Sequence, residues 1–285
     1  MPKISNDPLM RQIEYLSGSG GTSVTLSAVE LAANQTAPLV SRRITYDDGE
    51  QGITSLRFAQ FDVSVDITSI DSNLWNDSCD TFEADCIAGT PGTMSCDGWS
   101  ALCYCVAEDV DEVWQDHVTG RLTFVLVDGF WYREKTKQFF KKKSEETATY
   151  LDYPFDYEFD YLTLSSQTSF VSDSLVPKPV RFVIYGPADN PRITIGANTY
   201  QWNVSVPTGS RLISDGTEDR KSIVLVSQDG IVSDMFECGM RGAGLGSGSY
   251  CFEPIQPGTS KVSWNGGFGF DVITQDRKGG LPWTS

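Results

Sequence analysis

The sequence predicts an all-β protein of two domains, the second of them an antiparallel β-sandwich. Apolar and polar residues alternate with period two in many short segments, and Gly, Pro, Asn and Asp separate these segments, as is typical of half-buried strands. Helical periodicity is scarce. A chain of 285 residues, 40% hydrophobic and 21% charged, is long enough for two domains with cores of their own.

The first half contains five predicted strands and one predicted helix. From Gln60 to Ile67 every second residue is apolar, so one face of that strand is expected to enter a core. Acidic residues favour the start of a helix, so Asp109 to Asp116 is predicted to form a short one. The predicted strands are Ser23 to Leu31, Leu39 to Thr45, Ser55 to Thr68, Ala101 to Glu108 and Arg121 to Leu126.

The second half has short strands about every ten residues, which indicates two packed antiparallel sheets. Ile193 to Tyr200 is predicted to be a tight hairpin whose Gly and Asn can adopt positive φ. The predicted strands are Val180 to Tyr185, Arg192 to Ile195, Thr199 to Val206, Arg211 to Asp215, Ser222 to Val226, Tyr250 to Pro254, Ser260 to Trp264 and Phe268 to Thr274.

A strongly basic stretch lies between the two halves. Its concentrated like charges repel one another unless they are opposed, so it is predicted to contact an acidic surface of a neighbouring subunit or of another protein. Its basic residues are Arg133, Lys135, Lys137, Lys141, Lys142 and Lys143.

An acidic and aromatic stretch, Tyr153 to Tyr161, follows the basic one. In an extended conformation Asp156, Glu158 and Asp160 share one face and the aromatic residues share the other. A linker strand that buries its aromatic residues and exposes its acids is the favoured interpretation. Calcium binding, glycoside hydrolysis and pairing with the nearby lysines are the alternatives.

The overall charge is strongly negative, with a formal net charge of −16. General DNA binding by release of counterions requires a surplus of Lys and Arg and is therefore not expected. An acidic surface suits a conduit that DNA passes without sticking, although acidity also serves solubility. The sequence shows neither a secretion signal nor about 18 consecutive apolar residues, so no membrane association is expected.

Candidates for catalysis and cofactor binding are few. His117 is the only histidine and no nucleophile motif is present, so His117 is predicted to be a surface residue and the protein not to be an enzyme. The seven cysteines contain no Cys-x-x-Cys pair, so no metal or other cofactor is expected. Cys103 and Cys105 are predicted to be core residues. The glycine-rich stretch from Gly242 to Gly248 lacks the Lys of a P-loop and is predicted to be a loop.

Several segments, taken in order, resemble one family. Leu102 to Val110 is followed by Gly120 to Tyr132, which closes on Asp-Gly-Phe-Trp-Tyr. Tyr153 to Tyr161 lies between the two halves. The second half adds Phe182 to Pro187, Asn190 to Gly196, Val262 to Val272 and Leu281 to Thr284. In these segments the chain resembles the distal tail (Dit-like) proteins of siphophages, with Gly129 in place of the family's usual Pro.

This resemblance covers most of the chain and implies both domain limits and function. It implies a ring-forming N-terminal β domain over 1–132, a linker over 133–164 and a galectin-like β-sandwich over 165–285. The implied protein is a structural tail-tip component of a virion that assembles in the host cytoplasm. Six copies would form a ring that joins the tail tube protein to the tail hub, carries receptor-binding or fibre proteins, and lets genomic DNA pass without specific binding.

Two other functions remain open from the sequence. The sandwich alone could be a carbohydrate-binding module, or an adsorption protein that recognises host-surface glycans, with Trp202 or Trp264 stacking on a sugar. Core packing is the favoured interpretation of both Trp residues. The third reading is a tail-associated hydrolase that uses the acidic row at Asp156, Glu158 and Asp160.

Overall fold

The computed structural model describes residues 11–34, 37–50, 52–141, 168–217 and 221–282. Most of these residues form antiparallel strands, so the predicted all-β fold class is confirmed. The chain divides into two compact units after Arg133 and again after Asp276, so that its C-terminal residues return to the first unit. The predicted domain limits 1–132, 133–164 and 165–285 differ from this division and stay a prediction.

The first unit is built on one antiparallel sheet in the order β2-β1-β7-β8-β9-β6-β3, with a separate hairpin of β4 and β5. Helix α1, Ser72–Ala88, packs against β8, and a 3-10 turn covers Ala37–Val40. The strands are β1 (Ile13–Leu16), β2 (Ser23–Thr25), β3 (Leu31–Ala33), β4 (Ile44–Gly49), β5 (Gly52–Phe58), β6 (Phe61–Ser69), β7 (Gly92–Cys96), β8 (Trp99–Val113), β9 (Val118–Leu126) and β10 (Trp131–Phe139).

The second unit contains two main antiparallel sheets that contribute to one buried core, as predicted for a sandwich. One sheet has the order β19-β18-β17-β12-β21-β10, the other β11-β20-β14-β15, and a 3-10 turn covers Phe236–Cys238. The strands are β11 (Ser169–Ser172), β12 (Val180–Tyr185), β13 (Ala188–Asp189), β14 (Arg192–Ile195), β15 (Asn198–Gln201), β16 (Ser205–Val206), β17 (Arg211–Asp215), β18 (Ser222–Val226), β19 (Val232–Asp234), β20 (Gly258–Trp264) and β21 (Phe270–Lys278).

The predicted helix from Asp109 to Asp116 is wrong. Most of these residues continue strand β8, with Asp109 opposite Arg121 and Val110 opposite Gly120 on β9. Asp109, Asp111 and Glu112 are exposed strand residues, and pairing of β8 with β9 holds this segment extended.

Helix α1 was not predicted, because few apolar residues mark its buried face. Its buried positions are Trp75, Ser78, Phe82 and Asp85, of which two are polar. The caps are the signal that the sequence does carry. Asp71 accepts hydrogen bonds from the first turn, and Gly89 ends the helix with a left-handed φ of 65°.

Several strand limits also differ from the prediction. Tyr250 to Pro254 is a turn, so the strand predicted there is wrong. A bend, a turn or a short break interrupts three other predicted strands, which are Ser23 to Leu31, Ser55 to Thr68 and Thr199 to Val206. In place of Leu39 to Thr45 the chain has the end of a 3-10 turn and the start of β4. The predicted hairpin is confirmed as β14 and β15, with Gly196 at a φ of 59°.

Candidate functional site

The first basic residue of the predicted contact region lies on β10 within the first unit. Arg133 lies over the ring of Trp99, 4.7 Å from its centroid, and Lys278 approaches the same ring at 5.1 Å. Cations over an indole face are attracted by its quadrupole, so this part of the region is used inside one subunit.

Two lysines of β10 are engaged inside the second unit. Lys135 forms ion pairs with Asp173 at 2.6 Å and with Asp276 at 3.4 Å. Lys137 donates to the backbone carbonyl of Ser169. Arg133, Lys135 and Lys137 are two residues apart, so alternation places them on one face of β10, where each has a different partner. A contact between subunits through this region stays a prediction.

The other predicted contact residues lie at the end of a described range or outside the described residues. Lys141 is exposed at the end of a described range. Lys142, Lys143, Asp156, Glu158 and Asp160 lie outside the described residues.

A buried ion-pair cluster adjoins Lys135. The side chain of Lys178 is only 4% exposed and reaches Asp173 at 2.8 Å and Asp276 at 2.5 Å. Hydrogen bonds from Lys135 and then Lys178 lower the pKa of Asp173. This cluster joins the segment that precedes β12 to strand β21. Its two lysines and two aspartates compensate one another's charge.

Among the described residues, the candidate catalytic and metal-binding side chains are not assembled into a site. His117 hydrogen-bonds its neighbour Asp116 at 2.9 Å and stacks on Trp114 in a surface turn. Burial raises the pKa of the Cys103 thiol to about 12, so this thiol is protonated at neutral pH and is a poor ligand or nucleophile. Cys103 and Cys105 are buried, as predicted. In the described part of the chain no group of three metal-ligating side chains occurs.

The two Trp residues considered for sugar binding pack in the core, and the glycine-rich stretch considered for phosphate binding is a loop. Trp202 is fully buried, and the half-buried Trp264 packs against the core and donates its indole N–H to the carbonyl of Phe268. The stretch from Gly242 to Gly248 is a loop, as predicted. A cavity of about 240 Å³ adjoins it, but Glu253 in its wall already accepts the Gly246 N–H at 2.8 Å.

A buried carboxylate ties the start of the chain to α1. Asp85 accepts hydrogen bonds from Tyr15 Oη at 2.7 Å, Ser17 Oγ at 2.7 Å and Gly18 N at 3.1 Å. It also accepts from Ser19 N at 2.9 Å and Ser19 Oγ at 2.5 Å. Burial acts to raise the pKa of Asp85, but the hydrogen bonds outweigh it and lower the pKa to about 2. Every polar atom of this network has a partner, so its role is to hold the fold.

The β4–β5 hairpin is the most conspicuous exposed element. Cross-strand neighbours place Ile44 opposite Phe58 and Tyr46 opposite Leu56, so these four side chains share one face. They are 38% to 66% exposed. We call these four residues the apolar hairpin face.

The opposite face of the hairpin is polar and internally bonded. Thr45 lies opposite Arg57 and Asp47 lies opposite Ser55. Ser55 donates to the Asp47 carboxylate at 2.6 Å, and Arg57 approaches it at 3.5 Å. The hairpin is therefore amphipathic, and among the described residues its apolar face is covered only in part, where Phe58 packs against Phe130 with ring centroids 5.6 Å apart.

Sequence reasoning missed this surface. The predicted strands Leu39 to Thr45 and Ser55 to Thr68 each include only part of this hairpin, although its Asp48-Gly49 pair is a common hairpin signal. Alternation indicates which residues share a face, but it does not tell whether that face is covered.

The fold of this chain is that of bacteriophage baseplate proteins over almost its whole length. More particularly, it is the fold of a Dit-like tail-tip protein, so the resemblance seen in the sequence is confirmed at the level of the fold. No protein-family model matches the sequence, and no curated protein is significantly similar to it.

Three solved structures illustrate the similarity. A chain of the phage P2 baseplate in its activated conformation with Ca has a TM-score of 0.58 at 8% identity, over 95% of this chain and 99% of that one. The same baseplate with Sr gives 0.57 at 9% identity, with coverage of 95% and 99%. The Dit protein of phage SPP1, from the hub adsorption apparatus of phages infecting Gram-positive bacteria, gives 0.50 at 10% identity, with coverage of 93% and 99%.

Proposed function

We propose that the protein is a non-enzymatic structural component of a phage tail tip. The observation that carries this proposal is that both units together match a baseplate chain, with 95% of this chain and 99% of the other covered. A shared sandwich alone would support many functions, because function lies in sites and not in folds. A match across two units and their order is more specific.

The proposed assembly is a homo-oligomeric ring, of six copies, between the tail tube protein and the tail hub. The apolar hairpin face supports self-association. An isolated two-stranded hairpin is marginally stable in water, and exposed apolar surface of this kind marks an interaction site. A head-to-tail contact that completes a rotation closes into a ring. Receptor-binding or fibre proteins are the proposed outer partners.

The proposed ring leaves a channel for genomic DNA. A net charge of −16 favours an acidic or neutral bore, along which DNA slides without binding. The proposed location is the virion tail tip, after assembly in the host cytoplasm. No helix among the described residues is long and apolar enough to cross a membrane.

The alternative functions have less support. Trp202 is fully buried, and the half-buried Trp264 packs against the core, which argues against either as a platform for stacking on a sugar. His117 lies beside Asp116 without a nucleophile in a described contact, which supports a role without catalysis. The galectin-like character of the sandwich is retained only as part of the proposal.

Size-exclusion chromatography with light scattering, followed by negative-stain imaging, tests the proposal. The purified protein is expected to form rings at high concentration, and an antibody is expected to label the tip of the virion tail. A protein that stays monomeric even when mixed with its tail partners contradicts the proposed assembly.

A pair of adjacent substitutions tests the hairpin's part in this assembly. Tyr46→Asp places a charge on the apolar hairpin face and is expected to dissociate the ring. Thr45→Asp places the same charge opposite Arg57 on the polar face and is expected to leave the ring intact. Equal effects of the two variants would remove the hairpin face from the interface.

A further inference from the structure

The cavity of about 240 Å³ in the second unit lies beside the turn of the β14–β15 hairpin. Buried and largely apolar side chains line it, among them Ile195, Tyr200 and Ile255. Its wall also includes Gly246 and Gly248 of the glycine-rich stretch. At about 30 Å³ per water molecule, a cavity of this size has room for about eight of them, so a small ligand fits.

Hydrogen bonds within the protein hold the walls of this cavity in place. The side-chain amide of Asn198 donates to the carbonyl of Tyr250 at 2.9 Å, and its side-chain oxygen accepts the Tyr250 N–H at 3.2 Å. Tyr200 Oη donates to the backbone carbonyl of Glu253 at 2.8 Å. These polar groups already have partners, so the cavity keeps its shape without a ligand.

The carboxylate of Glu253 differs from these groups. This residue lines the cavity and is only 9% exposed. One oxygen, Oε2, accepts the Gly246 N–H at 2.8 Å. The other oxygen, Oε1, has no donor among the described residues, and it is not sealed from solvent. A ligand can therefore reach a charged acceptor in mostly apolar surroundings.

Holding the glycine-rich stretch explains only part of this arrangement. A Gln at position 253 would accept the Gly246 N–H equally well and would bury no charge. A buried carboxylate is costly unless a positive charge or several hydrogen bonds compensate it, as they do for Asp85. No Lys or Arg of the described residues forms an ion pair with Glu253. The charge therefore indicates a cationic partner from outside the chain.

The geometry around Glu253 distinguishes between kinds of cation. Calcium takes about six to eight oxygen ligands, whereas the described residues contain no group of three metal-ligating side chains. A guanidinium binds a carboxylate best through two parallel hydrogen bonds, but the Gly246 N–H already occupies one oxygen. An ammonium is a compact charge that a single oxygen can accept, and the apolar wall suits an aliphatic stem.

We propose that this cavity binds a primary ammonium group carried on a short apolar stem. The ammonium donates to Glu253 Oε1, and the stem packs against Ile195, Tyr200 and Ile255. A lysine side chain of another polypeptide and a free alkylamine both have this chemistry. The site does not depend on the proposed ring, because all of its residues belong to the second unit.

Ligand-observed NMR titration of the full-length protein tests the site without any substitution. The probe is n-butylammonium, and 1-butanol is its neutral counterpart of the same shape. At about 0.15 M salt, where attraction to the acidic surface is screened, n-butylammonium is expected to bind at millimolar concentration. We expect 1-butanol to bind at least about tenfold more weakly, because it lacks the charge-assisted hydrogen bond. Equal binding of the two probes overturns the proposal.

One substitution with a matched control locates the binding. Glu253→Gln keeps an oxygen for the Gly246 N–H and places an NH₂ donor where Oε1 was, so it is expected to weaken n-butylammonium binding at least about tenfold. Asp229→Asn removes the same charge from an exposed position of the same unit and is expected to leave the affinity unchanged. Thermal unfolding checks that both variants are folded. Equal affinities of the wild type and Glu253→Gln overturn the proposal.

A peptide form of the ligand distinguishes the two sources of the ammonium group. Nα-acetyl-lysine N-methylamide presents a lysine side chain as a polypeptide does, and acetylation of its Nε removes the charge. If this ligand binds more tightly than n-butylammonium and acetylation abolishes its binding, the cavity receives a lysine of a partner protein. If n-butylammonium alone binds, the ligand is a free amine. Absence of binding by both overturns the proposal and leaves the proposed tail-tip function standing.

Discussion

Replacing Asp85 by Asn removes the charge from a fully buried carboxylate on α1. One oxygen, Oδ1, accepts from Ser17 Oγ and from both the backbone and the hydroxyl of Ser19. The other, Oδ2, accepts from Tyr15 Oη and Gly18 N. The Asn side chain keeps one carbonyl oxygen and places an NH₂ donor where the second oxygen was. Even in its better orientation, that donor faces the Gly18 N–H, which loses its acceptor.

The expected loss of unfolding free energy is about 3 to 5 kcal/mol. An unsatisfied buried donor costs about 1 to 3 kcal/mol, and the remaining hydrogen bonds lose their charge assistance. The lowered pKa of Asp85 arises from the same hydrogen bonds. Its fall from the usual 3.8 to about 2 corresponds to about 2.5 kcal/mol, at about 1.36 kcal/mol per pKa unit.

The pH dependence has a defined sign. Because the folded-state pKa of Asp85 is depressed, its stabilisation is present above the unfolded value of 3.8 and is lost as the pH falls towards about 2. The difference in stability between the wild type and Asp85→Asn should therefore shrink by about 2 kcal/mol between about pH 5 and pH 2.

Urea unfolding, followed by near-UV circular dichroism, measures both quantities. Asp80→Asn, an exposed acid on the same helix, is the matched control and should change the stability by less than about 0.5 kcal/mol. The reasoning is refuted if Asp85→Asn destabilises the protein by less than about 1 kcal/mol, or if the difference does not depend on pH.

Three further predictions concern the second unit and the basic stretch. Lys178→Met leaves Asp173 and Asp276 without their buried cation and should lower the unfolding free energy by about 3 kcal/mol. The control Lys261→Met, on the exposed side of β20, should change it by less than about 0.5 kcal/mol. Equal effects of the two variants in urea unfolding would contradict this prediction. Calorimetry should detect no millimolar lactose binding, and binding that Arg192→Ala abolishes would overturn the prediction. Replacement of Lys141, Lys142 and Lys143 by Ser should weaken assembly most at low salt. If light scattering shows no change of assembly at low salt, these lysines belong to a solvated loop and not to a contact.

Local pattern determined the strands of the second unit well. Val180–Tyr185, Arg192–Ile195, Arg211–Asp215 and Ser222–Val226 have the limits that alternation and turn residues predict. The burial of Trp202 was also predicted from its place in such a pattern. Period-two alternation encodes both the strand and its buried face, so this information is present in a few consecutive residues.

The same local signals failed where a distant partner decides the conformation. Residues 109–113 are acidic enough to start a helix, yet pairing with β9 holds them in a strand. Helix α1 is marked by its caps at Asp71 and Gly89 and not by an apolar stripe, since Asp85 buries a hydrogen-bonded charge where an apolar residue is usual.

By itself the sequence determined the all-β class, the second-unit sandwich and the resemblance to distal tail proteins. Only the tertiary structure decided which surfaces are covered and which charges have partners. Lys135 finds Asp173, which lies 38 residues later, while most of the apolar hairpin face stays exposed in the described part of the chain. Alternation specifies which side chains share a face, but whether that face meets the core, solvent or a second copy depends on contacts between residues far apart in the chain.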